Sequence, residues 1–480
     1  MPFTSTSAFR QRLSLARPRS TNRSMNLFSL LPEPIAARLD RTPVVRRLVR
    51  GAFWTLTGSL AMRALSIPVS ILLARYMGPS HYGELGIINS SIDLFMIFAG
   101  FGLGLTANKH TAEYRTKDPD RAGRILALST ATAIATGAVF AIVLYVLAPW
   151  LAIHSLAAPQ LSRSLRIGSL LLFLSAINGA QSGALYGFEA FKASAQIQTL
   201  VGLANLPLVI AGYFMGGLNG VLWGMVGTRL LDYLIRAYVL RSHARRAGIA
   251  IRYSQCSREL GILWRFSLPA LLAGSMVGPI NWLCNTMLVR QPDGYREMGT
   301  YNAASAWYGA MIFLPVALGG ALLPLLSERI GHNDTHSSAK ILSTMLRLNA
   351  IIVVPGAIVL SLASSYIMRM YGSAYSHAAP TLVVVVFTAA IYAILMPVGD
   401  VISASGKMWA GLAMNAGWAI VVLAATSLLV HWGALGLATA RLTAYIVHAA
   451  WTAAYAARII STQKLSPAKS AISFVTSIPS

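Results

Sequence analysis

Charge is scarce in this chain, and negative charge scarcest. Only 11% of its 480 residues are charged, and Asp and Glu together number 15. A soluble domain carries about 25% charged residues, so a solvated globular surface is excluded. Cysteine occurs twice, at Cys256 and Cys284, in a spacing that makes neither a metal site nor a disulfide framework. The sequence offers no paired carboxylates beside an extramembrane loop, no Ser/His/Asp set and no nucleotide-binding motif. These absences read as no enzyme, no bound cofactor and no direct use of ATP. The run GFGLG at Gly100–Gly104 follows no strand and so is not a dinucleotide turn. It sits at a span end, where glycine lets helices approach closely.

What fills the chain is apolar sequence: 55% of residues are hydrophobic, in runs of about 20, the length that crosses a bilayer as a helix. The expected fold is an all-α polytopic membrane protein. Twelve spans are expected at about 51–74, 84–106, 123–148, 164–186, 195–215, 218–240, 261–289, 299–326, 344–369, 378–402, 409–431 and 433–458. The net charge of +24 and a pI near 10.6 would suit a nucleic-acid partner in a soluble protein. Here the basic residues sit in tails and short connectors, which is how a membrane protein marks its cytoplasmic face, so no nucleic acid is expected. Lys and Arg number sixteen in one set of connectors plus the C-terminal tail, and five in the other set. Both termini are therefore expected on the cytoplasmic side. Residues 1–50 contain ten Arg against Glu33 and Asp40 and lack the apolar core of a signal peptide. They read as a disordered basic arm, with Met25 as an alternative start.

The chain reads as one unit written twice. YGELGIINSS at Tyr82–Ser91 returns as YREMGTYNAA at Tyr295–Ala304, matching Tyr82/Tyr295, Glu84/Glu297, Gly86/Gly299 and Asn89/Asn302. Arg50 matches Arg265, Arg75 matches Arg290, and Lys192 matches Lys407. In the sixth and twelfth spans Arg229 falls on Arg441, Leu230 on Leu442 and Tyr233 on Tyr445. Each repeat has six spans, an even number, so both enter the membrane from the same side. The expected organisation is an N-lobe at 51–240, a basic cytoplasmic connector at 241–260, a C-lobe at 261–458 and a cytoplasmic tail at 459–480. Two such parallel six-helix lobes flank a central cleft, and rocking exposes that cleft to alternate faces.

The stretches LLARYMGPSHYGELGIINS (Leu72–Ser90) and FGLGLTANKHTAEY (Phe101–Tyr114) resemble the amino-terminal signature of bacterial polysaccharide biosynthesis flippases. YNAASAWYGAMIFLPVALGGALLPLLSE (Tyr301–Glu328), RMYGSAYSHAAPTL (Arg369–Leu382), ISASGKMW (Ile402–Trp409) and WGALGLATA (Trp432–Ala440) follow in that family's order. The resemblance covers about residues 45–460 and places the chain in the multidrug/oligosaccharidyl-lipid/polysaccharide exporter superfamily. It implies flipping of undecaprenyl-diphosphate-linked oligosaccharide across a bacterial inner membrane. The implied partners are that lipid-linked substrate, membrane lipids, and the polymerase and chain-length machinery of polysaccharide synthesis. The alternatives are an ion-coupled exporter of cationic drugs from the same superfamily and a polysaccharide polymerase or ligase. The first should present membrane carboxylates; the second needs a sizeable outer loop.

Ionisable residues inside spans are costly and mark function or pairing. Arg63 in the first span, Arg229 in the sixth and Arg441 in the twelfth are the candidates to bind the substrate diphosphate. Guanidinium suits that task because it keeps its charge and offers a two-pronged fork. A structural pair between Arg63 and Asp93 is the plainer reading of those two residues. Asn178, Gln181, Asn281 and Asn285 are candidates for sugar hydroxyls or for interhelical hydrogen bonds. Asp93, Asp232 and Asp400 are candidates for Na+ or H+ coupling or for a gate, with Asp232 also placed to offset a neighbouring Arg. Arg236 and Arg265 read as snorkelling to headgroups.

Overall fold

The computed structural model of the chain describes residues 43–268, 271–272, 275–319, 326 and 335–464. The basic arm up to residue 42 and the tail after 464 lie outside the described residues. The first helix begins at Pro43, inside the expected arm, and the last runs to Lys464, past the expected boundary at 458. From Trp54 the chain forms one compact unit, and among the described residues it contains no strand.

The elements are α1 (Pro43–Gly100), α2 (Leu103–Tyr114), α3 (Pro119–Trp150), α4 (Leu161–Gly187), α5 (Phe191–Arg246), α6 (Val277–Val289), α7 (Gly294–Gly319), α8 (Thr335–Leu362), α9 (Ser364–Met370), α10 (Ala379–Ala404), α11 (Met408–Leu429) and α12 (Gly433–Lys464). In lipid the backbone must satisfy its own polar groups, which is why the passes are helical. Among the described residues, seven stretches are long and apolar enough to cross a membrane. Phe53–Tyr114, Phe191–Arg246 and Met408–Ile459 each hold two passes, so these seven supply ten of the twelve expected. α6 and α7 are the other two. α6 is short because a π-helical turn at Leu263–Ser267 and a turn at Ser275 and Met276 interrupt the pass. GFGLG is a break rather than an end: Phe101 and Gly102 take positive φ, and the pass resumes as α2 to Tyr114.

Helix boundaries follow local chemistry. α1 turns back at Gly78 (φ 72, ψ 167), and Pro79, which has no N–H to leave unpaired, starts the returning arm. Asp118 caps α3 by accepting the Arg121 N–H at 2.9 Å, with Pro119 as the first helical residue. The turns repeat along the chain. The positive-φ positions Gly78, Ala157, Glu189 and Gly217 have counterparts in Asp293, Gly372, Gly406 and Gly433. Gly217 (φ 54, ψ −134) and Gly433 (φ 64, ψ −137) share one conformation.

α4 and α10 lie in the most buried of the seven stretches. α4 packs on α2, α3 and α5; α10 packs on α7, α8 and α12. Large apolar side chains such as Ile142, Val146, Phe214 and Leu428 are left exposed, as a lipid-facing surface requires. The two halves meet where the duplicated motif touches itself. A Cβ at Gly83 would overlap the Tyr295 carbonyl, and one at Gly86 would overlap Asn302. Asn302 Nδ2 reaches the Tyr82 carbonyl at 3.5 Å, and Tyr295 donates to the Leu156 carbonyl at 2.7 Å. Tyr375 donates to the Ala74 carbonyl at 3.3 Å. All of these contacts lie at the end of the bundle that carries the turns at Gly78, Ala157, Asp293 and Gly372.

At the opposite end the connector between the halves is clamped to the first half. Glu259 accepts from Arg121 Nε at 3.2 Å and from Arg124 Nη2 at 3.1 Å. Ser267 and Thr106 share a buried hydroxyl–hydroxyl bond of 2.7 Å, and the Lys109 ammonium sits 4.4 Å from the Phe266 ring centre.

Candidate anion site at the junction of the halves

Arg441 is the most elaborately held of the three candidate arginines. The start of α12 is pinned first: the Glu297 carboxylate accepts the Ala434 N–H at 2.8 Å. An anion there complements the positive end of the helix. Two turns on, Arg441 donates through Nη1 to the Tyr301 hydroxyl and through Nη2 to Asn285 Oδ1 at 3.0 Å. Its guanidinium carbon lies 4.9 Å from the Tyr301 ring centre. Its Nε is buried and has no partner. The group faces a cavity of about 140 Å³ lined in part by Asn281, Tyr301, Ser305, Tyr308 and Thr388. Every polar neighbour named here is neutral, and among the described residues no carboxylate pairs with Arg441. The cavity can therefore offer charge and hydrogen bonds to an anion.

Arg63 is exposed and reaches across to the other half, where its guanidinium lies against Gly309 of α7. Any side chain at Gly309 would collide with it. Arg63 and Arg441 thus contact the same helix eight residues apart, at Gly309 and Tyr301, roughly 12 Å along its axis. Arg229 is also exposed. Asp93 interacts electrostatically with Arg229, so the alternative reading of an Arg63–Asp93 pair gives way to an Asp93–Arg229 neighbourhood. Asp232 and Arg236, one turn apart on α5, form an ion pair in which both are buried, 4% and 6% exposed. Arg236 is accordingly an interior residue, which corrects the snorkelling expectation: a carboxylate one turn away gives it a partner inside. Asp232 offsets Arg236, so its carboxylate is engaged. Arg265 is exposed, within the π-helical turn.

The four amides divide by half. Asn178 and Gln181 are buried in α4, and Asn178 Nδ2 donates to the Arg229 carbonyl at 3.1 Å. In this arrangement Asn178 serves helix–helix bonding. Asn281 instead lines the Arg441 cavity, while Asn285 accepts from Arg441 and donates through Nδ2 to Ser90 Oγ of the first half at 2.9 Å. Asp400 lies elsewhere, on a cavity of about 470 Å³ between α10, α11 and α12 that also includes Tyr392, Asn415, Trp418, His448 and Thr452. Among the described residues no group of three or more His, Cys, Asp and Glu is placed to hold a metal ion. A monovalent ion at Asp400 would have to draw on neutral oxygens such as those of Asn415 and Thr452. His448 Nδ1 is occupied by the Trp451 Nε1–H at 3.1 Å.

Sequence reading missed Tyr301, Gly309, Glu297 and Glu259. Three of them had a visible signal. Glu297 and Tyr301 lie in the second copy of the repeated motif, and Glu259 is the one acid in the arginine-rich connector before the seventh span. Gly309 had none, because its role is to leave room for a residue 246 positions away.

A family model described as "Polysaccharide biosynthesis protein" matches residues 48–329, more than half of the chain, and the MatE model matches 269–428. The chain is 26% identical over 410 residues to the EPS I polysaccharide export inner membrane protein EpsE of Ralstonia nicotianae, covering 84% of this chain and 90% of that one. It is 23% identical over 291 residues to the lipid III flippase of Escherichia coli K12, covering 60% and 69% respectively. In fold it resembles the inward-facing conformation of a multidrug resistance MATE family transporter of the MOP superfamily. The TM-score is 0.72 at 15% identity, with 85% of this chain and 96% of the other covered.

Proposed function

The chain belongs to the polysaccharide biosynthesis protein family, and on that premise we propose that it flips an undecaprenyl-diphosphate-linked oligosaccharide from the cytoplasmic to the outer leaflet of a bacterial inner membrane. The protein is a multi-pass membrane transporter of the MOP superfamily, and its relatives are named for polysaccharide export and lipid flipping rather than for catalysis. The observation that carries the reading is Arg441: a membrane-embedded cation whose hydrogen bonds go to neutral acceptors, with a bare buried N–H, beside the junction of two halves. The diphosphate is the part of such a substrate that most needs escorting through a low-dielectric slab. The 12 Å between the contact points of Arg441 and Arg63 exceeds the reach of one diphosphate, so the two serve as successive stations along α7. Asn281 and Asn285 would meet the first sugar or the phosphate oxygens.

With both termini placed in the cytoplasm by the Lys/Arg bias, the end where the halves touch is the outer end, and the cleft is closed outward. Five side-chain bonds cross between the halves toward that end: those to the Tyr82, Leu156 and Ala74 carbonyls, Asn285 to Ser90, and Trp282 Nε1 to Ser91 Oγ at 2.9 Å. At about 0.6 kcal/mol for an interhelical hydrogen bond in a bilayer, they contribute about 3 kcal/mol. That is the size of gap across which ligands shift two-state equilibria, so the junction is strong enough to define a state and weak enough to be reversed. Asp400 is the candidate for Na+ or H+ coupling. Its cavity also supports a second reading, export of an organic cation, because a lone carboxylate stands there with Tyr392, Trp418 and Tyr445.

The deciding experiment uses purified protein in vesicles loaded with fluorescent lipid-linked oligosaccharide, scored by protection from a membrane-impermeant quencher. Transfer between leaflets that requires Arg441 supports the flippase reading. Transport of cationic dyes that requires Asp400, with no movement of the lipid, would replace it. Reporters active only in the periplasm, fused after Ser80, Gly217 and Gly433, should be active. Those after Lys117, Arg246 and Lys464 should be silent. The reverse pattern would invert the orientation and with it the direction of opening.

A further inference from the structure

We propose that Asn285 relays occupancy of Arg441 to the junction between the halves, so that an anion bound at Arg441 loosens the hold of the second half on Ser90. This deepens the reading of Arg441 as the site of the substrate diphosphate and rests on it. The argument begins with the edges of the guanidinium. Nη1 is committed to the Tyr301 hydroxyl, Nη2 to Asn285 Oδ1, and Nε is buried and bare. A phosphate group binds arginine best through two parallel N–H bonds. The edge that carries the bare N–H is the Nε–Nη2 edge. Nη2 carries two N–H groups, and an anion that takes the one beside Nε competes with the Asn285 carbonyl for the charge of the guanidinium and weakens its hold on Nη2.

Asn285 cannot lose that bond without consequence. It is 8% exposed, so a freed carbonyl oxygen has little water to turn to, and a buried unpaired acceptor is costly. The amide is planar, and its other end, Nδ2, is the group that holds Ser90 Oγ at 2.9 Å. Any rotation that finds a new donor for Oδ1 swings Nδ2 away from Ser90. One turn earlier on the same face of α6, Trp282 Nε1 donates to Ser91 Oγ at 2.9 Å. α6 therefore grips two consecutive serines of the first half, and one of those two grips is wired to Arg441. By reciprocity, opening the junction frees the Arg441 edge and strengthens its hold on the anion.

The test uses the full-length chain in nanodiscs with inorganic pyrophosphate as the probe. Spin labels are placed at Gln160→Cys and Ser376→Cys, exposed positions near the turns at Ala157 and Gly372, in a Cys256→Ser background. Pyrophosphate should shift the label–label distance distribution of the parent. Asn285→Ala should show the shifted distribution without pyrophosphate and should bind pyrophosphate at least about 5-fold more tightly. Ser90→Ala, which cuts the far end of the relay and leaves Asn285 on Arg441, should reproduce the distance shift. Asn285→Asp places a fixed carboxylate on the edge and should abolish the pyrophosphate response. If the parent responds but Asn285→Ala and Ser90→Ala keep its distribution and affinity, the relay is overturned and Arg441 remains the anion site. If the parent neither binds pyrophosphate nor responds, or responds equally after Arg441→Ala, the reading of Arg441 falls and the relay with it.

Discussion

The two halves hold matched arginines in opposite ways. Arg229 in the first half has Asp93 as an electrostatic neighbour, and its helix also carries the buried Asp232–Arg236 pair. Arg441, in the matching place, is held by a tyrosine hydroxyl and an amide oxygen. The positions that make the difference also correspond. At the offset of 213 that relates the motif copies, Tyr301 falls on Ile88, which is fully buried, and Ala306 falls on Asp93, so the second half has no counterpart of the acid beside Arg229. Duplication supplied the same frame twice, and the side chains then diverged. The first half neutralises its cation from within. The second leaves its cation to be neutralised from outside, which is what a binding site for an anion needs.

The largest expected effect is on that asymmetry itself. Arg441→Ala should abolish surface polysaccharide in a flippase-null strain at unchanged membrane protein level, and Arg229→Ala should reduce it less. Losing one charge-assisted contact costs about 1.5–3 kcal/mol, or roughly 10- to 150-fold in affinity. Arg441→Lys should fall between, since the charge stays and the fork is lost. Equal loss at both arginines would dissolve the contrast between the halves.

Next comes the internal neutralisation of the first half. Asp232→Asn strands Arg236 in the interior, and breaking a buried pair from one side costs about 3–5 kcal/mol. The expected result is a much lower thermal aggregation midpoint in detergent, restored by adding Arg236→Leu. A midpoint unchanged by Asp232→Asn would mean that this pair does not neutralise the first half as described.

The connector clamp is smaller because Arg121 and Arg124 are partly exposed. Glu259→Gln removes the charge shared by both and should cost about 1–3 kcal/mol. Trypsin, which cuts after Arg252 and Arg258, should cleave the connector faster in this variant. Unchanged protection would place the hold elsewhere, on the Ser267–Thr106 contact. Smallest is Gly309→Ala. The added methyl meets the movable tip of Arg63 rather than backbone, so the fold should survive and only Arg63 should shift. A few-fold drop in transport that vanishes in an Arg63→Ala background would confirm that the glycine acts through Arg63.

The membrane class, the helical passes and the duplication follow from composition and from offsets along the chain, because apolar run length and repeat register are local quantities. Arg63, Arg229 and Arg441 were legible for the same reason: a charge within an apolar run is costly wherever the run ends up. Partnerships were not legible. Asp93 lies 30 residues from Arg63 and 136 from Arg229, and only folding made the second its neighbour. Asn178 and Asn285 are the same residue type in similar surroundings, yet one bonds a backbone carbonyl inside its own half while the other bridges both halves. By itself, then, the sequence determined that this chain crosses the membrane as two related sets of helices with arginines inside. The tertiary structure alone decided which arginine keeps a bare edge, because hydrogen-bond satisfaction depends on atoms brought within about 3 Å by packing, and no spacing along the chain encodes that distance.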